Sequence, residues 1–170
     1  MLEPPDSFHI SAAIGWLELG NHLEASEELE KISQQLKEHP GVLNIRHAIC
    51  AAAKKWHEAA AIATALVEMQ PKDPGHWMNL AYAARRKPQG SLDEAKSILE
   101  KAAQLFPHEA TIFFNLACYD SQLGNLPEAK HWWDCAIETG DKEALEQMMM
   151  VDPDLDPFRK EYGLPPVKKL

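Results

Sequence analysis

Several features that enzymes and membrane proteins depend on are scarce in this sequence. Only eight of its 170 residues are glycine, and none of them forms a glycine-rich loop of the kind that binds phosphate. Its three cysteines, Cys50, Cys118 and Cys135, are an odd number without paired spacing. This favours reduced thiols in the cytoplasm over a disulfide framework. No apolar run approaches the roughly 20 residues that span a bilayer, so we expect no membrane association.

Positive charge is also scarce. The chain carries 17 lysines and arginines against 26 aspartates and glutamates, for a formal net charge of -9. Binding to nucleic acid needs clustered lysine and arginine, so this balance argues against nucleic acid as the main partner. The acidic excess concentrates in residues 1–39 and 110–143. The first residues have no basic segment followed by an apolar stretch, so we expect no secretion signal and a cytoplasmic location.

Residues with catalytic or metal-binding chemistry do not form a recognisable site. The eight histidines show neither His-x-x-x-His nor His-Glu-x-x-His spacing, and there is no Cys-x-x-Cys pair. Zinc sites depend on such spacings. A cysteine nucleophile needs a base held by an orienting group, and the sequence indicates none. We therefore predict a protein that is not an enzyme and that holds neither a metal nor a cofactor.

The sequence does contain an internal repeat. Four phrases end in Glu-Ala, with the alanines at Ala25, Ala59, Ala95 and Ala129, which are 34, 36 and 34 residues apart. Apolar residues follow each alanine at four and seven places, the spacing of one buried helix face. Further apolar helices are indicated upstream, as at residues 77–82 and 113–118. The pattern predicts four helical hairpins at about 6–39, 40–73, 74–109 and 110–143, with a cap and tail at 144–170.

Small residues and helix-ending residues support these hairpins. Helices that cross closely need small side chains, which the four repeated alanines supply. Gly20 and Gly124 are placed to end helices in the left-handed conformation, and Ser91 is placed to cap the helix after a longer turn. The predicted helices span 7–19, 22–37, 41–53, 56–69, 75–86, 92–105, 110–122, 126–138 and 142–150.

The third and fourth hairpins resemble the tetratricopeptide-repeat (TPR) family. In the third, the family pattern is filled by Trp77, Leu80, Ala81, Ala95, Leu99, Ala102 and Pro107. The second departs from it, since Arg46-His47 replaces the Leu-Gly pair and Lys54 replaces the turn glycine, and the first hairpin is weaker still. The resemblance implies an all-α fold, a right-handed α-solenoid of four helix-turn-helix units in a single domain, 1–170, with a C-terminal capping helix.

The end of the chain resembles bacterial TPR proteins of unassigned role. Residues 115–119 and 152–158 carry this resemblance. We expect Phe158 and Tyr162 to fold back onto the last helices. The methionines at 148–150 belong either to a cap helix or to an adaptable binding surface.

The TPR resemblance also implies a binding site. In the family, the first helix of each unit lines a concave groove, and ligand contacts come from fixed positions along it. The matching residues here are Ile10, Ile14 and Leu17 in the first unit, Asn44 and Ala48 in the second, Met78, Tyr82, Arg85 and Arg86 in the third, and Phe114, Cys118 and Gln122 in the fourth. The two arginines either hold a carboxylate of a partner or serve as cations favoured at a helix C-terminus.

The function implied by the resemblance is binding of another protein. The carboxylate clamp of the heat-shock co-chaperone subgroup is missing, because Ile10, Ile14 and Ile45 stand where that subgroup has lysine and asparagine. We predict a cytoplasmic adaptor or scaffold that holds a peptide or helix of its partner in the groove. The alternative is a chaperone for a secreted client, similar to the small acidic TPR chaperones of type III secretion. The oligomeric state stays open.

Overall fold

The structure is a computed structural model that describes residues 3–165. Within these residues every regular element is a helix, which confirms the predicted all-α fold. Residues 166–170 of the predicted tail lie outside the described part. The α-helices are α1 (Asp6–Glu18), α2 (His22–Glu30), α3 (Pro40–Ala52), α4 (Trp56–Met69), α5 (Pro74–Ala84), α6 (Leu92–Leu105), α7 (Ala110–Leu123), α8 (Leu126–Thr139), α9 (Lys142–Val151) and α10 (Asp156–Glu161).

The helices fall into two compact units, which divide between Gly90 and Ser91. The first unit contains α1 to α5 and the second contains α6 to α10. The single domain over residues 1–170 and the boundaries of its repeats stay predictions.

The first unit consists of two helical hairpins and a fifth helix. In it α1 packs on α2, α3 packs on α4, and α5 packs on α4. Ala13, Ala25 and Ala59 have no exposed surface, so small side chains lie where the helices pack closely, as the repeat predicts. Around Ala13 and Ala25, buried leucine, isoleucine and valine side chains join the first hairpin to α3.

Residues in the left-handed conformation end the first helix of several hairpins. Gly20 follows α1 with a φ of 75° and Gly124 follows α7 with a φ of 80°, which confirms both predictions, since glycine adopts these angles without strain. Lys54 takes the equivalent place after α3 with a φ of 56°. The lysine therefore adopts the conformation of the glycine it replaces, at a cost of about 1 kcal/mol. Ser91 caps α6, as predicted, and its hydroxyl accepts a hydrogen bond from the backbone N–H of Glu94.

One predicted helix is too long. The sequence pattern predicts α2 over 22–37, but α2 ends at Glu30, and a separate 3-10 turn follows at Gln34–Leu36. Between them the Asp6 carboxylate accepts hydrogen bonds from the Ser33 hydroxyl at 2.6 Å and from the Ser33 backbone nitrogen at 2.7 Å. These bonds fix Ser33 outside the helical conformation, and they lower the pKa of Asp6. A long-range contact thus ends the helix, which local periodicity cannot show.

The second unit is centred on the hairpin of α7 and α8, with α6 packed on α7 and α9 packed on α8. Ala95 and Ala129 are fully buried, as predicted. The α9 helix matches the predicted cap at 142–150, and its Leu145 and Met149 are buried.

A buried ion pair joins α6 to α7. Asp120 has no exposed surface, and its Oδ1 accepts hydrogen bonds from Lys96 Nζ at 2.7 Å and from Asn125 Nδ2 at 3.0 Å. Burial alone would lower the pKa of Lys96, but the hydrogen bond to Asp120 and the charges of Asp120 and Glu100 outweigh it and raise that pKa. The pair therefore keeps its lysine charged at neutral pH.

The tail folds back onto the α7–α8 hairpin, as predicted. Phe158 is 1% exposed, and its ring centroid lies 6.3 Å from that of Trp133 and 4.7 Å from that of Tyr162. The Tyr162 hydroxyl donates a hydrogen bond to the carbonyl of Leu126 at 3.3 Å. The sequence did not predict that this segment forms α10, because two prolines flank its start.

Candidate functional site

The residues that the TPR pattern assigns to ligand contacts divide between the two units. Nine of the twelve lie on or directly after α1, α3 and α5 in the first unit, and the other three lie on α7 in the second. The two sets differ in exposure and are described separately.

On α1 and α3 the exposed members of the set are small or aliphatic. Ile10 and Leu17 pack against the buried cluster of the first hairpin, whereas Ile14 is 42% exposed. On α3, Ala48 is exposed and Asn44 is half-buried. Among the assigned residues, α1 and α3 thus expose one aliphatic side chain, Ile14, and one alanine, Ala48.

An aromatic cluster lies at the end of α5. Tyr82 is 45% exposed, and the ring of Trp56 meets it edge to face with centroids 5.6 Å apart and planes at 69°. The guanidinium carbon of Arg86 lies 3.4 Å from the Tyr82 ring centroid and 5.6 Å from that of Trp56. We call Trp56, Tyr82 and Arg86 the Tyr82 cluster. The sequence pattern did not assign Trp56 to it, because Trp56 opens a second helix rather than lying on a first one.

The contacts of Arg86 address the two roles left open for the arginines. Its Nη1 donates a hydrogen bond to the carbonyl of Tyr82 at 3.1 Å, which is the interaction expected of a cation at a helix C-terminus. The same side chain stacks on the Tyr82 ring as a cation–π pair. Arg85, the residue that follows α5, is half-buried, as is Met78 on the helix itself. Arg86 therefore makes the contacts of a helix-end cation, and the role of the two arginines in holding a partner's carboxylate stays a prediction.

On α7 the assigned residues are covered by the chain itself. Phe114 and Cys118 are 3% and 2% exposed, and only Gln122 is exposed. The Cys118 thiol donates a hydrogen bond to the Asp152 carboxylate at 3.7 Å, and Gln122 Nε2 donates one to the Asp154 carboxylate. The face of α7 that carries these residues, here called its inner face, thus contacts residues of the tail, and the assignment of Phe114, Cys118 and Gln122 to a partner's footprint stays a prediction.

Arg159 holds this tail together. It is 1% exposed, and its Nη1 donates to the carbonyl of Met149, at the end of α9. Its Nη2 donates to the carbonyl of Asp152 at 2.9 Å and to the carboxylate of Asp156. Sequence reasoning did not single out Arg159, because one arginine in a non-repeating segment produces no periodic signal.

The first unit also contains a cavity of about 380 Å³ between α2, α3 and α4. Its walls include Leu29, Ile49 and Ile62, and charged groups such as Lys55 and Glu58 lie among the lining residues. Its size and mixed lining suit an apolar side chain with a polar neighbour. The sequence did not predict it, because the lining residues come from three helices at spacings outside the repeat pattern.

The Cys50 and Cys135 thiols have little nucleophilic character. Burial raises the pKa of Cys50, and the charge of Glu58 raises it further. Burial likewise raises the pKa of Cys135, together with the charges of Glu138 and Asp134. Both side chains are therefore neutral thiols at pH 7. In residues 3–165, no three His, Cys, Asp or Glu side chains are grouped so that they could hold a metal ion.

No helix in the described part of the chain is both long and apolar enough to cross a bilayer.

Comparison with known proteins gives the fold. No protein-family model matches the chain, and no curated protein matches its sequence. Among solved structures, it resembles the MamA RS-1 ArsTM double mutant with a TM-score of 0.68 and 18% identity, over 89% of this chain and 80% of that one. It resembles MamA MSR-1 C2 with a TM-score of 0.65 and 20% identity, over 84% and 78% of the two chains.

A third solved structure is described as a TPR protein. It is TTC0263, a thermophilic TPR protein of Thermus thermophilus, which matches with a TM-score of 0.66 and 20% identity over 93% of this chain and 88% of that one. Sequence identities this low show the fold alone. The three structural matches, the helical hairpins and the buried repeat alanines together confirm the resemblance found in the sequence. The chain has the fold of the tetratricopeptide-repeat proteins.

Proposed function

We propose that this chain is a non-enzymatic protein-binding module that holds a segment of another protein against α1, α3 and α5 of its first unit. The observation that carries the proposal is the Tyr82 cluster, in which an exposed tyrosine is held by Trp56 and Arg86. Tyrosine, tryptophan and arginine dominate the binding energy of protein interfaces. Because the Tyr82 ring is already fixed by its neighbours, a partner would lose little side-chain entropy on contacting it.

Other residues at the assigned positions suit contacts with the remainder of an extended or helical segment of the partner. Ala48 leaves room for a backbone, and Ile14 offers an apolar contact. Arg85, Arg86 and Lys87 follow α5 in an otherwise acidic chain. A partner segment with an apolar residue beside an acidic group would complement both the aromatic ring and this local positive charge.

Two further observations weigh against catalysis and against binding to nucleic acid. The pKa values of the Cys50 and Cys135 thiols are raised rather than lowered, which disfavours a cysteine nucleophile. The net charge of -9 disfavours binding to phosphate backbones. The cytoplasm is the compartment we propose, because the sequence predicts reduced thiols.

The proposal is tested with a photo-crosslinking phenylalanine analogue placed at position 82 of the full chain, in extract of the source cells. The matched control carries the same analogue at Phe8, an aromatic residue of the first unit that is 67% exposed and lies outside the assigned positions. We expect protein adducts at position 82 that are absent at position 8. Equal adducts at both positions, or adducts at position 8 alone, would contradict the proposal.

The identity of the adducts separates the two kinds of role. Several regulatory proteins crosslinked at position 82 would indicate an adaptor or scaffold. A single hydrophobic secreted client would instead indicate the chaperone that the sequence leaves as the alternative.

A further inference from the structure

The tail occupies the positions of α7 at which the TPR pattern places ligand contacts. Cys118 faces the Asp152 carboxylate at 3.7 Å, and Gln122 donates to the Asp154 carboxylate. Between them, the hydroxyl of Ser121 accepts a hydrogen bond from the backbone N–H of Phe158 at 3.3 Å. Residues 152–158 thus contact three of the polar positions along one helix face.

The same segment inserts two apolar side chains into the second unit. Leu155 has no exposed surface and Phe158 is 1% exposed. Acidic residues stand at 152, 154 and 156 around them, so the segment reads Asp-Pro-Asp-Leu-Asp-Pro-Phe. Apolar anchors in pockets, with polar groups bound at the rim, are the way a peptide ligand is recognised by a preformed groove.

We propose that residues 152–158 are an intramolecular ligand of the inner face of α7, and that this face takes a protein segment of the same chemistry when the tail opens. That segment is acidic, with a leucine and a phenylalanine three residues apart. The inference rests on the proposed protein-binding function and extends it to the second unit. While the tail is closed, the α7 positions that it covers are not available to a partner.

The contacts of Arg159 allow the tail to leave α7 as one piece. Its hydrogen bonds end at Met149, Asp152 and Asp156, within the tail and the end of α9. The bonds to Asp152 and Asp156 stay intact when the segment separates from α7, and the bond to Met149 stays intact if the end of α9 moves with the tail. Of the polar contacts that do have to break, three are long, at 3.7 Å from Cys118 and 3.3 Å from Ser121 and Tyr162, and the bond from Gln122 to Asp154 is short. Such an arrangement favours a local opening below the free energy of global unfolding.

The first test is native-state hydrogen exchange on the unmodified full chain. If the tail opens independently, the amides of Phe158 and Tyr162 exchange about 100-fold faster than the buried amides of Leu116 and Ala117 on α7. Equal exchange rates in the tail and in α7 would show that the tail is an integral part of the core, and would overturn the proposal.

The second test measures peptide binding in trans. The probe is a fluorescein-labelled synthetic peptide of residues 150–164, blocked at both ends, added to the full chain or to a Leu155→Ala/Phe158→Ala variant whose tail anchors are removed. We expect the variant to bind the peptide at least about tenfold more tightly than the unmodified chain. A folded variant that binds no more tightly than the unmodified chain would overturn the proposal, and if the variant does not fold, the exchange experiment decides.

Two further variants locate the binding. Added to the tail variant, Cys118→Glu places a bulky anion on the α7 face beside the peptide's Asp152 carboxylate, and should abolish peptide binding, whereas Tyr82→Ala should leave it unchanged. Loss of binding with Tyr82→Ala alone would move the peptide to the first unit and overturn the assignment to α7. A negative result in the peptide-binding experiments does not affect the crosslinking result at position 82. The two proposals can therefore be overturned independently. A dimer of the unmodified chain that exchanges tails between copies would also overturn the intramolecular assignment.

Discussion

The stability of the second unit should depend strongly on Lys96. Asp120 is fully buried, and its Oδ1 is bound by Lys96 Nζ at 2.7 Å and Asn125 Nδ2 at 3.0 Å, while its Oδ2 has no hydrogen-bond partner. The substitution Lys96→Met keeps most of the aliphatic stem but removes the charge. It leaves the aspartate buried with one remaining donor.

The expected loss follows from this geometry. Removing one partner of a buried ion pair costs about 3–5 kcal/mol of unfolding free energy, because the other charge is left uncompensated. Asn125 still donates to the carboxylate and Lys96 lies near the surface, so we expect the lower end, about 3 kcal/mol. Asp120→Asn should cost less, roughly 1 kcal/mol, because the lysine keeps Glu100 at 3.6 Å and the new amide can still be bound.

The assay is urea denaturation of the single and double variants, analysed as a double-mutant cycle. Lys130→Met is the matched control, because Lys130 pairs with Asp134 at 2.7 Å with both side chains almost half exposed. Exposed pairs of this kind contribute less than about 1 kcal/mol. If Lys96→Met is no more destabilising than Lys130→Met, the reasoning about the buried pair is refuted.

Four further substitutions test the packing, a charge state and the backbone strain. Ala95→Leu and Ala129→Leu should each overpack fully buried positions and cost roughly 1–3 kcal/mol in thermal or urea unfolding; unmoved transitions would mean that the repeat register is wrong. Burial lowers the pKa of His47, the charge of His76 lowers it further, and a hydrogen bond to the Asn79 backbone offsets part of this. The unfolded chain then binds more protons, so unfolding free energy is retained above a pH of about 6.5 and falls below it. His47→Asn should flatten that slope in urea titrations from pH 7 to pH 5, and an unchanged slope would exclude His47 as its source. Lys54→Gly should remove the strain of the left-handed residue after α3 and stabilise by up to about 1 kcal/mol, whereas a loss in the unfolding midpoint would contradict this.

The fold was predictable where it depends on local pattern. The repeated alanines are buried in both units because their spacing already marks the face on which helices pack. Gly20 and Gly124 end their helices because glycine tolerates the left-handed conformation. The end of α2 was not predictable, because it depends on a hydrogen bond between Asp6 and Ser33, which are 27 residues apart.

The candidate site was predictable only in part, for the same reason. Position in the repeat assigned both Tyr82 and Arg86, but the tryptophan that contacts them comes from the start of a second helix. Phe114 and Cys118 fit the family positions equally well, yet the structure buries both. The segment that covers this face begins 34 residues after Cys118 and has no periodicity. A repeat pattern shows which face a residue occupies, but it does not show which other part of the chain covers that face.

The salt dependence of binding distinguishes the contribution of the Tyr82 ring from that of the Arg85 and Arg86 charges. The titration measures the affinity of a partner captured at position 82 for the unmodified chain, for Tyr82→Ala and for the double variant Arg85→Ala/Arg86→Ala. Each affinity is measured at two salt concentrations. Tyr82→Ala should keep the salt dependence of the unmodified chain. The double arginine variant should weaken binding and flatten that dependence, because fewer charges are then screened.

The most direct measurement is the affinity of that captured partner for the unmodified chain, for Tyr82→Ala and for the control Phe8→Ala. We expect Tyr82→Ala to weaken binding at least tenfold, about 1.4 kcal/mol, because an exposed and pre-oriented tyrosine is lost. Phe8→Ala should leave the affinity unchanged, although Phe8 is the more exposed of the two aromatic residues. Unchanged affinity of Tyr82→Ala, or an equal loss with both substitutions, would contradict binding through the Tyr82 cluster.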